Sequence, residues 1–151
     1  REVVATFGQE ILTTSNEINR KKLAKLVFGQ PESLARLNQI MHPRMYNMVK
    51  AQLEEYRRQM VIIVVLETPL LLEAGWTPLV DEVWVTVASE STVIRRLKER
   101  TGFSESESLA RIRTQLPAGE RIKRADVVIN NDGNLDELKA KVKELWSGLQ
   151  V

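Results

Sequence analysis

The sequence has no cysteine and only one histidine, His42. No disulfide, thiolate nucleophile or zinc ribbon is therefore possible. A lone histidine builds neither a metal site nor a catalytic triad by itself. Long apolar runs are also missing. The run Val61–Leu66 is far too short to span a bilayer, and no signal-peptide pattern opens the chain. We expect a cytoplasmic protein with no membrane partner. Excess charge of one sign is lacking too, since the net charge is +2 and aromatic residues make up only 5%. Scattered basic residues without interleaved aromatics or a reader motif argue against nucleic acid as a partner.

What is present is enough for a core. Hydrophobic residues fill 43% and charged residues 28% of 151 positions, one domain's worth of foldable chain. Val3, Val4 and Phe7 predict the tail of a helix that ends at Gly8. Leu23, Leu26 and Val27 predict a short helix, and Leu34, Leu37 and Met41 another. Pro43 is expected to open a fresh helix striped by Met45, Val49, Leu53 and Tyr56, because proline is at home in a first turn. Three segments are β-branched and lack polar alternation: "VIIVVLETP" (61–69), "EVWVTVA" (82–88) and "DVVIN" (126–130). That is the pattern of parallel strands covered on both faces.

Helices are expected between and after these strands. One runs from about Ser91 to Arg100. Ser104 and Glu107 form a capping box for a second, with Leu109, Ile112 and Leu116 on one face, and Pro117 stops or kinks it. Asn134 and Glu137 cap a final helix striped by Leu135, Leu138, Val142, Leu145 and Leu149. Tyr46, Trp76 and Trp84 are read as core. With no repeats, low-complexity tracts or linkers, the prediction is one α/β unit carrying helical insertions. Three buried parallel strands need more neighbours than these residues supply. The chain also starts at Arg1, inside an apolar periodic segment, so further strands are expected ahead of it.

Arginine carries the chemistry. Between Arg95 and Arg124 lie Arg95, Arg96, Arg100, Arg111, Arg113, Arg121 and Arg124, while the last helix uses Lys139, Lys141 and Lys143. Any one of these arginines reads as ordinary solvated surface. As a group they offer planar guanidinium forks that match phosphate oxygens as ammonium does not. They sit on helices between two strands, where an α/β fold inserts a lid over ligands bound beyond the carboxyl ends of its sheet.

Six segments then carry a resemblance: "FGQEIL" with "NRKKLAKLVF", "IMHPRM", "ETPLLLEAG", "RRLKERTGFSESES" and "QLPAGERIKRADVVINNDG". In this order and spacing, over nearly the whole chain, the sequence resembles the dephospho-coenzyme A kinase family. The resemblance implies a P-loop kinase fold with a five-stranded parallel sheet, a helical substrate region and a helical lid. It implies transfer of the γ-phosphoryl of ATP to the ribose 3′-hydroxyl of dephospho-coenzyme A with Mg²⁺, the last step of coenzyme A biosynthesis. No G-x-x-x-x-G-K-[ST] occurs in the 151 residues. That loop cradles the phosphates and holds Mg²⁺. The family's general-base aspartate and first two strands are expected upstream of Arg1 as well. The 151 residues alone are therefore expected to be inactive, with no metal ligand among them.

Residue by residue, the resemblance places Arg100 and Arg121 at the transferring phosphates as catalytic groups. It places Gln115 in the lid, and Ile129, Asn131 and Gly133 on the segment that lines the adenine site. Asn130 stands where the family usually has aspartate and receives no role. In the substrate half it points to Arg20, to His42 in the His-Pro step, and to Pro69, Leu70 and Leu71 after the first strand. Asn19 replaces a usual aspartate beside Arg20. Glu67 and Glu73 have no spacing that favours a base. The expected regions are 1–60 for the helical coenzyme A side, 61–94 for core strands and helix, 95–124 for the lid, and 125–151 for the last strand and helix. Two other readings stay open on the residues alone: another P-loop kinase for a nucleoside or small hydroxyl substrate, and a non-catalytic binding module.

Overall fold

The computed structural model describes residues 1–28, 30–113 and 115–149. They form two compact units, 1–60 and 61–151. The first unit is helical. Helix α1 (Glu2–Phe7) ends at Gly8, whose φ of 84° is open to glycine and strained for other residues. A 3₁₀ turn (Gln9–Ile11) leads on to α2 (Arg20–Phe28). Asn19 does for α2 what an aspartate would do, because its side-chain oxygen accepts the Lys21 and Lys22 amides, each at 3.1 Å. The core of this unit is Val3, Phe7, Ile11, Val27 and Ile40, with Leu23, Leu26, Leu34 and Leu37 packed against it.

The two helices expected on either side of Pro43 are one helix, α3 (Pro31–Arg58), with Pro43 inside it. Pro31, not Pro43, takes the first-turn position. The two apolar stripes run on in a single phase, from Leu34 and Leu37 through Met41 and Met45 to Val49, Leu53 and Tyr56. Their continuity outweighs the one ladder bond that a proline removes. The backbone near the gap is served by Arg44. Its Nη1 donates to the Ile40 carbonyl at 2.6 Å, and its Nη2 pairs with Glu2 at the start of α1. An interior proline costs a helix about 3 kcal/mol, partly offset by what it takes from the unfolded chain. Pro43→Ala should therefore raise stability by about 1–2 kcal/mol in urea unfolding. No gain would mean that Pro43 is accommodated in α3 at no net cost.

The second unit holds a two-stranded parallel sheet of β1 (Trp84–Val87) and β2 (Val127–Asn130), in register Trp84↔Val127 through Val87↔Asn130. Asp126 aligns the entry, its carboxylate accepting the Val83 amide at 2.7 Å. The connection runs through α4 (Glu90–Thr101), α5 (Glu105–Arg113) and the short α6 (Ala118–Ile122), and α7 (Leu135–Ser147) follows β2. Leu72, Val83 and Val85 form the core here, with Leu71, Leu116 and Ala125 against it. Trp76 is buried as expected. The Ser104 box opens α5, with Glu107 reaching back to the Ser104 amide at 2.8 Å, and the Asn134–Glu137 box opens α7. Helix α4 stops at Gly102 in the left-handed conformation.

Two expectations fail in this unit. Residues 61–68 pair with no strand among the described residues, and Ile62 (79%) and Val65 (74%) are largely exposed. An extended apolar run becomes a strand only when a neighbour takes its amides and carbonyls. The two strands that do form are not covered on both faces either. Val85 and Ile129 are buried, whereas Thr86 and Val128 are exposed. The apolar stripe of α7 is likewise partly open, with Leu135 and Val142 in solvent.

Candidate functional site

The carboxyl end of the sheet is where α4 begins and where the chain turns after β2. Five residues, Ser89, Arg96, Asn131, Asp132 and Gly133, stitch these two places together. Ser89 is the N-cap of α4, accepting the Thr92 amide. Its own amide and hydroxyl both donate to Asp132 Oδ1, at 2.8 and 2.7 Å. Two turns along α4, the Arg96 guanidinium donates to the Asn131 carbonyl at 2.6 Å and to the Gly133 carbonyl at 2.9 Å. The loop is braced from within as well: Asn130 Oδ1 accepts the Asp132 amide, and the Asn131 amide extends the ladder to Val87. A Cβ at Gly133 would collide with the Glu137 carboxylate that closes the α7 capping box. Glycine there keeps the loop and the cap compatible.

Along α4, Val93, Arg96, Leu97, Glu99 and Arg100 line an open groove of about 500 Å³. Arg100 is exposed and makes no hydrogen bond or ion pair among the described residues. Arg111 lies over the Phe103 ring, 4.5 Å from its centroid. Arg121, on α6, is half-buried, and its Nε is shielded from solvent with no acceptor in reach among the described residues. A sequestered N–H without a partner costs about 1–3 kcal/mol, so such groups are rare and call for a reason. An anionic ligand oxygen would supply one.

The remaining expected site residues fall as follows. Gln115 is exposed just after α5, its amide bonded to Ile112. Ile129 lies within β2, not after it, and is 3% exposed, so its side chain belongs to the core. Asn131 and Gly133 do lie on the loop beyond the strand. Pro69, Leu70 and Leu71 lie in or beside a turn, with Pro69 exposed and Leu71 packed on the core. Arg20 and His42 belong to the other unit, Arg20 exposed at the first turn of α2 and His42 half-buried in α3. The sequence alone assigns no role to Ser89 or Asp132 and offers Arg96 as one more phosphate-facing arginine. Their partners are 35 to 43 positions away, a separation that local patterns cannot reveal.

Comparison with known proteins decides the family. The dephospho-CoA kinase profile matches residues 1–137. The chain belongs to the dephospho-CoA kinase family. The dephospho-CoA kinase of Dehalococcoides mccartyi is 43% identical over 143 residues, covering 95% of this chain and 72% of the relative. That of Geobacillus kaustophilus is 42% identical over 153 residues, covering 99% and 76%. Among solved structures, TT1252 from Thermus thermophilus is 34% identical with a TM-score of 0.77, covering 99% of this chain and 76% of that one. Dephospho-CoA kinase from Campylobacter jejuni shares the fold at 20% identity and a TM-score of 0.68, covering 97% and 73%. Family membership agrees with a mixed α/β fold built on a parallel sheet flanked by helices. No helix among the described residues is long and apolar enough to cross a membrane.

The loop carries a pH signature. The Ser89 hydroxyl, then the Ser89 amide and the Thr92 hydroxyl, hold Asp132 down from 3.8 to about 2. A carboxylate depressed on folding stabilises fully above its unfolded value, and that contribution is lost as pH falls through its folded value. The Asp132 contribution should thus be constant above about pH 4 and fade towards pH 2. Glu107 is lowered by the Ser104 hydroxyl and amide and acts in the same direction, so a comparison with Asp132→Asn is needed to isolate one group. The gap in melting temperature between the parent and Asp132→Asn should narrow from pH 4 to pH 2. A gap that widens on acidification would remove Asp132 from this role.

Proposed function

We propose that this chain works in the transfer of the γ-phosphoryl group of ATP to the ribose 3′-hydroxyl of dephospho-coenzyme A, giving coenzyme A. Family membership supports the reaction. The observation that carries the residue assignment is the orphaned Nε of Arg121, a shielded cationic donor with no acceptor among the described residues. Arg100, exposed and unengaged on the groove, is its companion. In phosphoryl transfer, charge spreads over the equatorial oxygens of the moving group, and positioned guanidinium donors stabilise it. Arg100 and Arg121 take that part. Asn131 and Gly133 line the nucleotide base with their backbone, Ile129 supports them from beneath, and Gln115 belongs to the lid.

Arg20, His42, Pro69, Leu70 and Leu71 are assigned to the dephospho-coenzyme A side, and residues 1–60 to the helical region that carries it. Mg²⁺ accompanies ATP in this reading. Among the described residues, no three His, Asp or Glu side chains gather as a metal site. None is therefore assigned to the ion, and no step is routed through it. A cytoplasmic location suits ATP and a soluble acceptor.

Two substitutions test the assignment in the whole protein. Arg100→Lys keeps the charge but loses the planar fork, so kcat should fall at least about tenfold, roughly one charge-assisted hydrogen bond in the transition state, with no change in melting temperature. Arg121→Met should lower kcat and yet stabilise the ligand-free protein by about 1 kcal/mol, because it removes an unpaired shielded N–H. Unchanged turnover in both variants would return these arginines to the surface-charge reading.

A further inference from the structure

We infer that Arg96 is a positioning residue for nucleotide binding, acting through the backbone of residues 131–133 and not by contact with the phosphates. The inference rests on the proposed nucleotide role of that loop. Arg96 stands one helical turn from Arg100 on the same groove, and by sequence alone the two are equivalent. Their engagements differ. Arg100 has no partner among the described residues, whereas Arg96 spends both terminal nitrogens on two carbonyls, Asn131 O and Gly133 O.

A planar fork with both ends committed fixes two peptide planes at once, on either side of Asp132. Asp132 is itself held by the amide and hydroxyl of Ser89. The loop is thereby tied to α4 at its N-cap and again two turns on, so it inherits the rigidity of the helix. A base-binding loop that is ordered before the ligand arrives avoids the cost of ordering on binding. Because the clamp is complete without ligand, it acts on affinity for the nucleotide base and leaves the chemical step to other groups. Lysine cannot reproduce it, since one ammonium does not span two carbonyls in a fixed plane.

The test uses Arg96→Lys and Asp132→Asn in the whole protein, each compared with Gly133→Val as a direct perturbation of the loop. Four quantities are read: KM for ATP, kcat, inhibition by inorganic tripolyphosphate, and amide exchange of residues 131–134. For Arg96→Lys, KM for ATP should rise about tenfold, the scale of one charge-assisted hydrogen bond. Its kcat should stay within about twofold and its tripolyphosphate inhibition should not change, as expected when only base binding is affected. Amide exchange of the loop should accelerate. Asp132→Asn should move the same quantities less, and this second tether keeps the test open if Arg96→Lys folds poorly.

A fall in kcat together with weaker tripolyphosphate inhibition would place Arg96 on the phosphates and overturn the proposal. So would an unchanged KM in Arg96→Lys while Gly133→Val raises it. If loop exchange accelerates but neither variant alters KM for ATP, the nucleotide role of the loop is lost, and the positioning role goes with it.

Discussion

The carboxyl end of the β1–β2 ladder is the constraint on which the second unit depends. Two parallel strands of four residues are a small sheet, and parallel pairs need a crossover to join them. Here that crossover is α4 to α6, and its first helix is fastened to the end of β2 by Ser89, Arg96, Asn131, Asp132 and Gly133. The helix cap, the strand end and the loop therefore form one hydrogen-bonded junction. The groove beside Arg100 runs along α4, and Arg96 belongs both to its lining and to the junction.

The arginine-rich segment shows how one residue type is divided among tasks. Arg96 is consumed by backbone carbonyls and Arg111 lies over an aromatic ring, so neither side chain is simply spare charge. Arg100 and Arg121 differ from them in having unused donor capacity, one in solvent and one shielded from it. A kinase of this family needs cationic groups that stay available until a phosphate arrives, and donors already engaged in the fold are poorly suited to that. The count of arginines drew attention to the segment, but their engagement separates scaffold from candidate chemistry.

The first unit rests on a different balance. Helix α3 passes through Pro43 because its apolar stripe keeps one phase over 28 residues, and the packing of Leu34, Leu37 and Ile40 with α1 and α2 outweighs a missing amide bond. Arg44 covers the nearby carbonyl of Ile40 and reaches Glu2. His42, a candidate substrate residue, immediately precedes Pro43. Asn19 caps α2 with its amide oxygen, which accepts the Lys21 and Lys22 amides as a carboxylate oxygen could.

Local patterns in the sequence were enough for the features whose energetics are local. Capping boxes at Ser104 and Asn134, the stop at Gly8, the strands around Val85 and Ile129, and the arginine-rich segment all depend on residues within a few positions of each other. The family was legible too, because the six segments keep their order and spacing. Tertiary structure alone decided everything that needed a distant partner. Residues 61–66 have the composition of a strand but, among the described residues, none of the neighbours that make one, since ladder bonds are a property of pairs. Pro43 reads as a helix start until the packing of its helix is known. Arg96 and Arg100 are indistinguishable as letters, and only the carbonyls of Asn131 and Gly133, more than thirty positions away, turn one into a clamp, while the other is exposed and unengaged among the described residues.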